Sequence, residues 1–300
     1  MPTRNDYFKL HFIVFLWGFS SILGKLILLP AMEMVFFRSI LAVAGMAILI
    51  LILRGNFKVN RIELIKLILI GFIVALHWVA FFGSARVSNI SVSLVGFATN
   101  SLWAALLEPL INRSRIKKFE LFLGLVVLFG LYVIFSFDFQ YKLGLLIGIF
   151  AGFTGALFSV FNSKMIKTVD SYTITFYEMI GVFIGLGLFM PIYKNTWAVG
   201  HVLQLSPSFN DWIYLVLLAG GCSVYAYSQA VELMKKLSVF IIQLTLNLEP
   251  VYGIIMAVII FKEKEKMGVN FYAGTCIILL AVALYPRMKK RIESRRYLKK

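Results

Sequence analysis

The chain has 300 residues, of which 60% are hydrophobic, 15% aromatic and only 15% charged. A soluble domain carries about 25% charged residues, so a water-soluble globular fold is excluded. The net charge of +16 would suit nucleic acid, but the charges fall in short joints between apolar runs, which points to a membrane and not to a nucleic-acid partner.

About 20 helical residues cross a hydrocarbon core of ~30 Å. Ten apolar runs of that length cover 10–29, 31–53, 64–85, 88–111, 119–137, 143–163, 172–193, 212–233, 237–261 and 268–286. The expected fold is an all-α integral membrane protein of ten transmembrane helices, with short joints making neighbours antiparallel. The first run has no small-residue cleavage site and nine further spans follow, so it reads as a span rather than a cleavable signal peptide. Ten spans put both termini on one side. That side takes most of the Lys and Arg residues, among them Lys9, Arg54, Lys66, Arg113, Lys167 and the tail RMKKRIESRRYLKK. Positive joints stay cytoplasmic, so both termini are expected inside, at the inner (cytoplasmic) membrane. The tail 287–300 is expected to lie on anionic lipid head groups.

Polar residues within the runs are the functional candidates, because a charge at mid-bilayer costs roughly 2.5–3.5 kcal/mol on insertion scales. Span one carries Trp17, Ser20 and Ser21, with Lys25 near its end, and span two carries Arg38. Span three presents a stripe of His77, Trp78, Phe81 and Ser84, and span four holds Asn100 and, near its inner end, Glu108, which reads as a snorkelling side chain. Span six offers Ser159, Asn162, Ser163 and Lys164, and span seven places Glu178 about two turns in. In span eight Tyr225, Gln229 and Glu232 recur at i, i+4 and i+7, with Tyr227 a further candidate. Such stripes serve either as a cavity wall or as hydrogen-bonded glue between helices. Span nine contains QLTLNLEPVYG, residues 243–253. On an unbroken helix Asn247 and Glu249 would point to opposite faces. Pro250 removes an N–H, frees the Leu246 carbonyl and biases Glu249 toward extended backbone, so a kink there is expected to re-aim Glu249. All four aspartates (Asp6, Asp138, Asp170, Asp211) fall at joints or the terminus.

The second half repeats the first. SNISVSLVGFATN (88–100) aligns on SVFIIQLTLNLEP (238–250) at an offset of 150, which sets Thr99 and Asn100 against Glu249 and Pro250. FSSILGK (19–25) resembles FSVFNSK (158–164), so that Lys25 matches Lys164, while Arg38 and Glu178 occupy corresponding places with opposite signs. Five spans per half is an odd number, so the halves are inverted. Residues 1–139 and 140–286 are expected to be two inverted five-helix repeats, followed by the basic tail. Inverted repeats place a substrate site near the midplane between them and alternate its exposure by rocking.

The Trp17-Gly18 pair, Arg38, the run Phe261-Lys-Glu263 and Gly274-Thr-Cys-Ile-Ile resemble the EamA-type family of the drug/metabolite transporter superfamily, and the likeness covers nearly the whole chain. It departs from that pattern at Asn100, where the family usually has proline, and at Arg113 and Arg115, where an acidic residue is usual. The resemblance implies export of amino acids or other small metabolites, and relatives in the superfamily carry phosphorylated sugars or nucleotide sugars.

The expected function is therefore secondary transport of small amphipathic metabolites, amino acids foremost, by alternating access. The expected central site comprises Glu249, Asn247, Gln243, Asn100, His77, Trp78, Tyr227 and Trp17, with Glu249 binding a substrate amine or carrying a coupling proton. Lys25 and Lys164 are read as gates or snorkelling side chains, and Arg38 and Glu178 as an inter-repeat charge pair. The alternative is a carrier of anionic or phosphorylated metabolites cradled by Lys25, Arg38 and Lys164. No H-E-x-x-H or G-x-S-x-G motif is present, so no enzyme is expected. The isolated Cys222 and Cys276 and the scattered His11, His77 and His201 give no disulfide, metal or cofactor site. Membrane lipid is the expected macroscopic partner, and both monomer and homodimer remain open.

Overall fold

The computed structural model describes residues 2–135, 141–262 and 268–297, so Asp138, Glu263, Lys264 and Lys266 lie outside the described residues. The described elements are helical, and side-chain caps set several of their N-termini. Thr3 and Asp6 form a capping box on α1 (Arg4–Leu26), as do Asn60 and Glu63 on α3 (Arg61–Val87). Each side chain satisfies a backbone N–H that the first turn leaves open. Pro30 precedes α2 (Ala31–Ile52), and Asn89 caps α4 (Ile90–Phe97). After α5 (Asn100–Ile111) and α6 (Lys118–Phe135), the second half runs through α7 (Lys142–Met165) and α8 (Ser171–Thr196). One continuous stretch then joins α9 (Phe209–Leu217), a π-helical segment (Leu218–Tyr227) and α10 (Ser228–Leu233). Last come α11 (Val239–Leu246), α12 (Glu249–Phe261) and α13 (Val269–Tyr297). Eight helical stretches among the described residues are long and apolar enough to cross a membrane. The two remaining predicted runs hold α6 and α13, and α13 carries on without a break into the basic tail.

Packing partners exchange when one half is substituted for the other. Helix α1 lies on α12 as α7 lies on α4 and α5. Helix α3 lies on α8 as the π-helical segment lies on α2, and α6 pairs with α13. Glycines permit the closest approaches. A Cβ on Gly96 of α4 would stand 2.9 Å from Gly148 Cα of α7, and one on Gly181 of α8 would stand 3.0 Å from Gly71 Cα of α3. Without a hydrophobic drive between helices in lipid, such backbone-to-backbone packing is a principal source of association.

Spans four and nine are each broken near their middle. Ala98 and Thr99 separate α4 from α5, and Asn247 and Leu248 separate α11 from α12. At both breaks the ladder tightens to three-residue spacing, with Thr99 N bonded to the Gly96 carbonyl at 3.3 Å and Leu248 N to the Thr245 carbonyl at 3.0 Å. Two sequence expectations change here. Asn89 and Ser238 are equivalent caps, so the register of this part of the repeat is 149 and Asn100, not Thr99, is the counterpart of Glu249. Each begins the helix that follows its break. Glu249 is also helical rather than extended. Pro250 stands in the first turn of α12, where a missing N–H costs nothing.

Candidate functional site

The breaks, the π-helical segment and α3 converge on a cavity of about 60 Å³ in the middle of the bundle. Six expected site residues line it: Trp17, His77, Trp78, Tyr227, Gln243 and Glu249, together with Arg38. Its wall is aromatic, completed by Phe81, Phe82, Phe97 and Phe158.

Each polar group in that wall is held by a specific partner. Arg38 projects from α2, donates from Nε to Ser223 Oγ at 2.8 Å, and lays its guanidinium 3.7 Å from the Trp78 ring centre. His77 Nδ1 meets the Ala151 carbonyl at 2.8 Å. A carbonyl only accepts, so Nδ1 carries the hydrogen and Nε2 is the ring's acceptor. Gln243 Nε2 donates to Ser159 Oγ at 2.7 Å. Trp17 Nε1 donates to the Cys222 carbonyl at 3.1 Å, tying α1 to the π-helical segment. Glu249 is buried and lines the cavity. Among the described residues neither Arg38 nor Glu249 forms an ion pair.

Two expected site residues lie elsewhere. Asn247 turns to the crossing of the two breaks, where Nδ2 donates to Ser101 Oγ at 3.0 Å. Asn100 is fully buried with neither end of its amide hydrogen-bonded. Breaking span nine therefore brings Gln243 and Glu249 to one cavity and leaves Asn247 to join the halves.

The Arg38–Glu178 pair is not formed. Helices α2 and α8 begin at Ala31 and Ser171, so the two residues are equivalent positions, but aromatic rings stand between them. Arg38 stacks on Trp78, while Glu178 accepts from the Tyr227 hydroxyl at 2.7 Å, and the Trp78 and Tyr227 rings meet edge to face at 6.3 Å. Neither lysine gate reaches the cavity. Lys164 Nζ donates to the Ile111 carbonyl at 2.7 Å on the surface, and Lys25 sits half-buried in the last turn of α1. The halves are tied instead by residues the sequence did not single out for this. At one end Lys9 Nζ bonds Gln229 Oε1 at 2.8 Å, with Gln229 held within its own half by Tyr172 at 3.2 Å, and Lys236 pairs with Asp6 at 2.8 Å. At the other, Asp211 Oδ1 accepts from Leu28 N at 2.7 Å. Glu108 does not snorkel: it accepts from Phe240 N at 3.0 Å and caps α11.

The stripe Tyr225, Gln229 and Glu232 does not form a cavity wall. Tyr225 is 41% exposed and meets Phe12, while Glu232 pairs with Lys235. The π winding shifts the face, so Tyr227 and Ser223 point inward instead. The segment includes Gly220-Gly221, neither of which has a neighbour within reach of a Cβ. Among the described residues no group of three or more His, Cys, Asp or Glu side chains comes together to hold a metal.

A model of the EamA-like transporter family matches residues 8–136 and again 142–285. A solved crystal structure shares the fold with a TM-score of 0.69 at 14% identity, covering 97% of this chain and 100% of that one. Comparison with curated protein sequences finds no match.

Proposed function

This chain belongs to the EamA-like transporter family, and we propose that it carries zwitterionic amino acids with apolar or aromatic side chains through the central cavity. One observation carries the reading. The Arg38 guanidinium and the Glu249 carboxyl line the same aromatic chamber, and neither is ion-paired among the described residues. Opposite charges buried in one site are costly unless something pairs with each. A zwitterion supplies both partners, its carboxylate to the guanidinium fork and its ammonium to Glu249. The rings of Trp17, Trp78, Phe158 and Tyr227 then face the side chain, and an ammonium against aromatic faces gains further attraction.

The cavity is smaller than the roughly 300–1,000 Å³ of ordinary ligand pockets, and ties between the halves stand at both ends of the bundle. Admission of a solute then requires the halves to part, at the Lys9–Gln229 end or at the Asp211–Leu28 end, which is the alternating access that a repeat architecture favours. The test is counterflow of labelled amino acids in vesicles containing the purified protein. Saturable exchange of apolar or aromatic amino acids is expected. Exchange of phosphorylated solutes with indifference to amino acids would overturn the reading in favour of an anion carrier.

A further inference from the structure

Glu178 has no part in the reading above, yet it is fully buried two turns into α8. Its surroundings are closely built. A Cβ on Gly71 of α3 would collide with the Glu178 backbone oxygen, so the two backbones are packed closely there. Its Oε2 accepts from the Tyr227 hydroxyl at 2.7 Å and from Asn162 Nδ2 at 3.2 Å, and the same Nδ2 lies 3.1 Å from Tyr227 Oη. Three spans thus meet in a triangle of carboxyl, phenol and amide. The other carboxyl oxygen, Oε1, is buried with no partner. Tyr227 forms one side of the triangle and also part of the cavity wall, so a single residue separates the carboxyl from the cavity.

The buried charged and titratable groups on the elements packed against α8 bond elsewhere; at the start of α3, Glu63 is held in the cap by Asn60, and Arg61 and Lys66 are exposed. Arg38 of α2 bonds Ser223, and Glu33 of α2 accepts from Gln204 N. His77 of α3 bonds the Ala151 carbonyl, and Arg86 of α3 bonds the Gly24 and Ile27 carbonyls. Glu232 of α10 pairs with Lys235, and His201 of the short 3-10 turn reaches the Lys194 carbonyl. Tyr227 and Asn162 are the side chains that touch the Glu178 carboxyl.

We propose that Glu178 binds a proton that is exchanged with the cavity through the Tyr227 hydroxyl and drives solute movement. This rests on the transporter reading and separates two roles, with Glu249 meeting the solute and Glu178 holding the proton. A proton from cavity water adds to a lone pair of Tyr227 Oη. The proton already on Oη passes to Glu178 Oε2, so one O–H bond forms and one breaks at the phenol, and the carboxylate becomes a carboxylic acid. The acid no longer accepts from Tyr227 at that oxygen, so the phenol is free to turn its hydroxyl to the solute. Reversal after the halves have rocked releases the proton on the other side.

The experiment uses vesicles of the full chain, loaded with a pH dye and given an amino acid shown to undergo counterflow. One proton per solute across a one-unit pH gradient supports about tenfold accumulation. The wild type is expected to reach that ratio and to move protons when the solute is added. In E178Q the ratio is expected to fall to about one, with counterflow persisting and no longer varying with pH. Wild-type counterflow without proton movement would overturn the proton role and leave the transporter reading standing, whereas absence of counterflow would overturn that reading itself. E178Q that still accumulates solute under the gradient would place the proton elsewhere. Should E178Q fail to fold, E178D keeps the titrating group and is expected to retain gradient-driven accumulation, with Y227F slowing the dye response. A Y227F response as fast as that of the wild type would contradict the relay.

Discussion

Spans four and nine are built alike and charged differently. Each breaks over two residues, at Ala98–Thr99 and at Asn247–Leu248, and each resumes on a polar residue, Asn100 in the first half and Glu249 in the second. The first break forms without a proline, so Pro250 does not explain the second. What the breaks share is a glycine-bearing neighbour pressed against them. A Cβ on Gly152 would meet Thr99 Oγ1 at 2.5 Å and the Phe97 carbonyl at 3.0 Å, while one on Gly18 would meet Tyr252 Cβ at 3.0 Å and the Glu249 carbonyl at 3.2 Å. Packing of the first helix of one half against the fourth of the other makes the break. The residue after it decides whether the half contributes a charge.

That comparison can be broken at several points. The largest effect is expected from Glu249→Gln, which removes the charge that distinguishes the second break. Truncating one partner of a buried charge pair costs roughly 2–5 kcal/mol, so solute affinity in counterflow should fall about 30-fold or more. Asn100→Ala at the equivalent position should leave that affinity within about twofold, since its amide does not line the cavity.

Next comes Gly152→Ala, which forces the α7 backbone away from the first break. Overpacking costs about 1–3 kcal/mol, seen as a lowered unfolding midpoint in detergent. Gly18→Ala should do the same at the second break and also shift Glu249, lowering solute affinity as well as stability. Equal affinity loss in both variants would sink the claim that only the second half carries the charged pole.

Asn247→Ala removes the bond to Ser101 Oγ that joins the two breaks. A hydrogen bond contributes about 0.5–1.5 kcal/mol, and the loss should appear in stability with solute affinity unchanged. Pro250→Ala should have the smallest effect, within about 0.5 kcal/mol on stability and twofold on transport, because a first-turn proline replaces no intrahelical bond. A large effect would restore the proline as the cause of the break.

The sequence made the helices and the duplication legible because both are written in long patterns: apolar runs of bilayer length, and segments of the first half that realign on the second without gaps. The Asn89 and Ser238 caps would even have corrected the register by one residue. Six of the eight expected site residues line the cavity, and the sequence singled them out as polar or aromatic side chains standing in apolar runs. What was hidden depended on rotation and depth. The π winding over Leu218–Tyr227 decides that Tyr227 and not Tyr225 faces inward, and α-helical periodicity misreads it. Arg38 and Glu178 matched as repeat positions, but the Trp78 and Tyr227 rings between them belong to other spans. Phe97 and Phe158 look like any other apolar residue until the cavity is seen.

The central claim is that Glu249 receives the ammonium of a solute whose carboxylate is held by Arg38. The most direct measurement is competition for amino-acid counterflow by two analogues, one lacking the amine and one with its carboxylate amidated, in the wild type and in Glu249→Gln. The account predicts that the wild type rejects both, while Glu249→Gln accepts the amine-free acid about as well as the amino acid and still rejects the amide. Undiminished rejection of the amine-free acid by Glu249→Gln would contradict it.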